Sequence, residues 1–128
     1  TRPWQHVLEA LNGYLTLAYK LSLTPKKLHG EAFNFGPSNK KNHTVINVLK
    51  EIKKNYPKAR WNIKRSKKFF ESKLLKLNSN KAIKKLNWRC KLTFVDNIKL
   101  VSDWYVKYNL KKNIYKLSLD QIKFFENI

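Results

Sequence analysis

Glu31-Ala32-Phe33-Asn34-Phe35, held between Gly30 and the pair Gly36-Pro37, decides how this fold is read. Its phenylalanines alternate with a small and a polar neighbour, the period of an extended chain with one face buried, and Gly-Pro is turn chemistry that ends it. Trp61 with Ile63, and Leu75 with Leu77, alternate in the same way. Each is expected to be a short strand. Helical repeats lie before, between and after them, and helices alternating with short strands predict an α/β fold.

Working outward, Val7, Leu8, Leu11, Tyr14, Leu15, Ala18 and Leu21 follow helical spacing, with Glu9 near the start and Lys20 near the end complementing the helix dipole. That spacing predicts a core-facing helix. Leu23 to Gly30 carries Pro25 and Gly30 and reads as a connection; Ser38 to His43 reads as a polar loop. Thr44 is the expected N-cap of a helix in which Val45, Val48, Leu49 and Ile52 share a face, stopping before Asn55-Tyr56-Pro57. Ser79 is expected to cap a short helix bearing Ala82, Ile83 and Leu86. Asn87 suits the left-handed residue at its end, and Trp88 folds back onto it.

Thr93-Phe94-Val95-Asp96 has capping-box form, and Phe94, Ile98, Val101, Trp104, Tyr105 and Tyr108 follow on one stripe. Ser118-Leu119-Asp120-Gln121 repeats that logic before Ile122, Phe124 and Phe125.

With 128 residues, the chain has the length of one domain that buries roughly 65–70% of its unfolded surface. Lys and Arg number 28 against 8 acidic residues, a formal net charge of +20, which suits a polyanionic partner such as nucleic acid or an anionic membrane. The lysines are spread along the chain among abundant Asn and Ile, however, as A/T-rich codon usage would leave them. Cys90 is the single cysteine, so no intrachain disulfide or thiolate cluster forms, and a reducing, cytoplasmic setting is expected. No apolar run approaches the roughly 20 residues that span a bilayer, and the N-terminus has no signal-peptide pattern. His6, His29 and His43 show no metal-ligand spacing.

The opening, Arg2-Pro3-Trp4-Gln5-His6-Val7-Leu8-Glu9, presents an arginine and an indole from backbone stiffened by Pro3, and a guanidinium held so suits a phosphate or carboxylate. Together with Leu11-Asn12-Gly13-Tyr14-Leu15, it resembles the segment that opens the C-terminal part of CDP-glucose 4,6-dehydratases, which are extended short-chain dehydrogenase/reductases. Gly30 to Pro37, Leu74 to Leu77, Ser79 to Leu86 with Trp88, and Trp104-Tyr105 resemble later parts of that family in the same order. The resemblance implies the C-terminal substrate-binding part of a Rossmann-type fold, residues 1–128 forming one piece of a longer chain whose N-terminal NAD-binding portion is absent. The first residue, Thr1, standing within a motif, fits that expectation.

In that family bound NAD oxidises the sugar at C4, water is eliminated between C5 and C6, and hydride returns to C6, using a glycine-rich loop and a Tyr-x-x-x-Lys pair. No such loop occurs here, so no catalytic or cofactor residue is expected in this chain. Tyr108 and Lys112 have the pair's spacing, but the resemblance puts the catalytic pair upstream of Thr1. The resemblance instead implies substrate contacts from Arg2, Trp4, Gln5, His6, Arg65 and Glu71, with Arg2 reaching the pyrophosphate of CDP-glucose, and a homo-oligomeric parent. Lys67 or Lys68 could take the phosphate contact in place of Arg65. Phe69-Phe70-Glu71-Ser72, Asn78, Asn87, Cys90 and Ala10 depart from the family's usual residues.

The alternative is a small basic nucleic-acid-binding protein, in which Lys64 to Phe70 would stack bases on its rings and meet phosphates with its lysines. A substrate-side loop accounts for the same run, and no nucleic-acid fold signature accompanies it.

Overall fold

Cap chemistry sets where the helices begin, and the computed structural model shows it for residues 1–37, 42–64 and 74–128. Helix α1 (Val7–Leu23) starts at His6, whose Nδ1 accepts the Leu8 N–H at 3.3 Å, and α2 (Pro25–Leu28) begins on a proline. At α3 (Val45–Asn55) the Thr44 hydroxyl accepts the Asn47 N–H while Asn47 Oδ1 accepts the Thr44 N–H at 2.8 Å. Asp96 and Thr93 form the same box at α5 (Phe94–Asn109). Between them, α4 (Asn80–Leu86) ends at Asn87 with φ 56°, the left-handed conformation asparagine tolerates.

The last helix, α6 (Ile114–Glu126), begins earlier than Ser118: Asn113 caps it by accepting the Lys116 N–H at 2.9 Å. Ser118 lies inside the helix, where its hydroxyl accepts the Trp104 indole N–H at 3.1 Å.

Helices α3 and α6 pack on α5, and α1 packs on α2 and α4. A core of Leu28, Phe35, Ala82, Leu86 and Trp88 joins α2, the 31–37 segment and α4. Phe35 meets Trp88 edge to face at 5.0 Å and Tyr14 at 5.8 Å, contacts worth about 0.5–1.5 kcal/mol each beyond area burial.

The α/β expectation is overturned: the described residues contain helices and no strand. The period-two burial of the 31–37 segment is real, since Phe33 and Phe35 turn inward while Ala32 and Asn34 face solvent. What is missing is a ladder. The Phe35 carbonyl accepts the Gln5 amide at 2.9 Å, and the Gly36 N–H is taken by Ser79 Oγ at 2.9 Å. Glu31 ion-pairs with Lys81 and Lys85 of α4, and hydrogen bonds from those ammonium groups, Lys81 first, hold its carboxyl down to about 2. Side chains satisfy an extended backbone here, so alternation gives burial without pairing. Likewise Ile63 is exposed, and at Leu75 one backbone bond runs to the Thr1 carbonyl, at 3.3 Å.

Helix α1 departs from expectation in a second way. Its buried residues are Glu9 and Gly13, while Val7, Leu11, Tyr14 and Leu15 are 62%, 46%, 60% and 71% exposed. Glu9 is wholly buried because Oε1 accepts the N–H groups of Lys91 (2.8 Å) and Leu92 (2.6 Å), anchoring the chain ahead of α5; its Oε2 has no partner. Gly13 lies under Phe35, where a Cβ would stand 2.5 Å from the ring.

Candidate functional site

Pro3 bends the opening segment so that the Trp4 N–H donates to the Arg2 carbonyl at 3.0 Å, a tight turn across proline's fixed φ. The turn sets Arg2 and Trp4 side by side on the wall of a cleft of about 450 Å³. Thr93 and Phe94 at the start of α5 line the same cleft, as do His43 and Lys76. The Trp4 indole N–H donates to the His43 carbonyl at 3.0 Å, and the His43 ring stacks flat on Phe94, centroids 3.7 Å apart and planes 3° from parallel. Asn97 ties the opening segment to the start of α5: its Oδ1 accepts the His6 N–H at 2.7 Å and its Nδ2 donates to the Thr93 carbonyl at 2.9 Å.

Two cations, aromatic surface and the positive end of a helix dipole therefore border one concavity. The arrangement suits an anion attached to a flat or ring-shaped group. Asp96, on the same first turn of α5, is engaged by the Thr93 N–H and hydroxyl, the latter at 2.6 Å, and its charge is directed into the cap.

Of the residues singled out from sequence, Arg2 and Trp4 line this cleft together. Gln5 does not: its amide holds the Phe35 carbonyl, and its Oε1 is buried without a partner. His6 is buried beside a different cavity of about 390 Å³, bordered by Val101, Trp104 and Gln121. Burial pushes its imidazole below the usual histidine range, with the Glu9 charge opposing in part. Neutral, it can accept the Leu8 N–H that starts α1. Arg65 and Glu71, with Lys67, Lys68 and the phenylalanines between them, lie outside the described residues.

Tyr108 and Lys112 are not one helical turn apart, because α5 stops at Asn109 and Lys111 has φ 53°. Tyr108 stacks on Trp104 instead, at 5.4 Å.

Sequence reasoning did not place His43, Lys76 or Phe94 on the cleft. Phe94 reads as the first member of the α5 stripe, and nothing local marks His43, whose place depends on the Trp4 indole 39 residues away. The capping box was the available signal, since a helix start is where an anion site can be built.

No protein-family model matches the chain. Over 105 residues, 81% of its length, it is 30% identical to the CDP-glucose 4,6-dehydratase of Salmonella typhimurium. It spans 29% of that relative's length. The chain is thus distantly related to a nucleotide-sugar dehydratase.

Proposed function

We propose that this chain supplies the nucleotide-sugar-binding part of a CDP-glucose 4,6-dehydratase, the enzyme that converts CDP-glucose to CDP-4-keto-6-deoxyglucose with loss of water. The observation that carries the reading is the convergence of Arg2, Trp4, Lys76 and the α5 start on one cleft. In this reading Arg2 takes the pyrophosphate, Lys76 adds a second positive charge, and the aromatic wall of Trp4, His43 and Phe94 lies against a ring of the substrate. The protein works in the cytoplasm as part of a homo-oligomer.

NAD supplies the oxidation and return of hydride in such an enzyme, and the residues here do not fit it. Gly13 and Gly36 pack against Phe35 and Leu77, where any Cβ would stand 2.5 and 2.8 Å away, and neither opens onto a space for a pyrophosphate. Among the described residues no group of His, Cys, Asp and Glu could hold a metal ion. The cofactor and the catalytic groups are therefore assigned to the remainder of the enzyme, and this chain's work is to bind and orient.

Calorimetric titration with CDP-glucose tests the reading. A charge-assisted contact is worth about 1.5–3 kcal/mol, so Arg2→Ala is expected to weaken CDP-glucose binding roughly ten- to a hundredfold. Arg2→Lys should not restore it, because an ammonium lacks the guanidinium fork. Lys112→Ala should leave binding unchanged. A wild-type chain that ignores CDP-glucose, or an Arg2→Ala chain that binds it normally, overturns the assignment.

The net charge of +20 favours a second reading, binding of nucleic acid. That reading requires affinity for generic single-stranded DNA that falls steeply with salt.

A further inference from the structure

The cavity of about 390 Å³ beside His6 shares no lining residue with the cleft and has a different chemistry. Its walls come from α5 (Val101, Trp104) and α6 (Ser118, Gln121, Ile122), with His6 at the cap of α1. Lys and Arg number 28 in this chain, yet no lysine, arginine, aspartate or glutamate lines this cavity. A charged ligand would find no counter-charge on these walls, so the cavity suits an uncharged one.

Two buried side chains hold polar atoms for such a ligand. The Leu8 N–H donates to His6 Nδ1 at 3.3 Å, so Nδ1 presents a lone pair and, in an imidazole that burial keeps neutral, the proton sits on Nε2. Gln121 Nε2 donates to the Leu100 carbonyl at 2.9 Å; a carbonyl only accepts, which fixes the orientation of the amide and leaves Oε1 as its acceptor. Among the described residues neither His6 Nε2–H nor Gln121 Oε1 has a partner, although His6 is 6% and Gln121 7% exposed. A buried donor and a buried acceptor are costly unless something pairs with them. Trp104 spends its N–H on Ser118 at 3.1 Å and offers the cavity its ring alone.

We propose that this cavity binds a small, planar, uncharged cyclic amide, its carbonyl accepting from His6 Nε2–H and its N–H donating to Gln121 Oε1. The volume stands at the small end of ligand pockets, about 300–1,000 Å³, and suits one or two fused rings lying against Val101 and Trp104. The nucleotide sugar, with its charged pyrophosphate, belongs to the cleft that Arg2 and Lys76 line. This second site therefore stands independently of the function proposed above.

The probe is 2-quinolone, a two-ring lactam, titrated into the full chain with isotope-labelled histidine and followed by NMR. Saturable binding is expected, with the His6 Nε2–H resonance moving downfield as the bond forms. 1-Methyl-2-quinolone, which lacks the N–H, should bind about three- to tenfold more weakly, and naphthalene, which lacks both groups, about ten- to a hundredfold. Gln121→Met should remove the preference for 2-quinolone over its methyl analogue. Ile122→Trp, at a position 39% exposed, should fill the cavity and abolish binding while circular dichroism shows the helices intact. The proposal is overturned if 2-quinolone does not bind, if naphthalene binds as well as the lactam, or if a folded Ile122→Trp chain binds normally. Tighter binding of quinoline-2-carboxylate overturns the uncharged assignment. Displacement of 2-quinolone by CDP-glucose overturns the second site, because the cavity would then belong to the cleft.

Discussion

Helices α1 and α5 carry equally clear apolar stripes, yet they end in opposite situations. α5 lies between α3 and α6, buries Ile98, and half-buries Val101 and Trp104 of its stripe. α1 touches α2 and α4, buries a glutamate and a glycine, and among the described residues leaves Val7, Leu11, Tyr14 and Leu15 of its stripe largely exposed. A stripe states that a face needs covering; it does not say that this chain covers it.

The largest effect that can break this contrast is at Glu9. Glu9→Ala strands the N–H groups of Lys91 and Leu92, at about 1–3 kcal/mol each and roughly 2–5 kcal/mol together, measured by urea unfolding. If Glu9→Ala is harmless, the inward face of α1 has been assigned wrongly. Ile98→Ala on α5 comes next, with a loss of about 2–4 kcal/mol from a core position that is 6% exposed.

Gly13→Ala should cost about 1–3 kcal/mol despite alanine's better helix propensity, because the added methyl enters the Phe35 ring. A stabilised Gly13→Ala chain would mean that α1 and the 31–37 segment are not in contact. A smaller, pH-dependent term comes from His6. Burial holds its imidazole below the ordinary histidine value of 6.5, so the unfolded chain takes up a proton first as pH falls through that value. The stabilisation from neutral His6 is present above that pH and is lost on acidification toward the folded pKa, and His6→Gln should flatten that part of the Tm–pH profile. Smallest of all is Leu15→Ala, expected within about 0.5 kcal/mol of wild type at a position 71% exposed.

Much of the local structure is legible in the sequence. Thr44 and Thr93 cap their helices as expected, Asn87 takes the left-handed conformation, and Trp88 folds onto α4 within the core. The start of α6 was misplaced because Ser118-Leu119-Asp120-Gln121 imitates a cap, while Asn113 carries the same chemistry one turn earlier. Arg2 and Trp4, singled out in the opening segment, line the cleft. His43 and Lys76 were not singled out, since they reach the cleft through contacts distant in sequence.

What the sequence by itself determined is therefore what depends on neighbours three or four residues away: where helices start and stop, and which residues alternate. Tertiary structure alone decided whether an alternating segment pairs and which face of a helix turns inward. At Phe33 and Phe35 the alternation is obeyed, but Gln5, Ser79 and two lysines of α4 take the place of a neighbouring strand. At α1 the apolar stripe yields the inner position to Glu9, because two amides ahead of α5 need an acceptor and Phe35 needs the space above Gly13. Both outcomes turn on partners supplied from elsewhere in the chain, and a hydrophobic period contains no information about who those partners are.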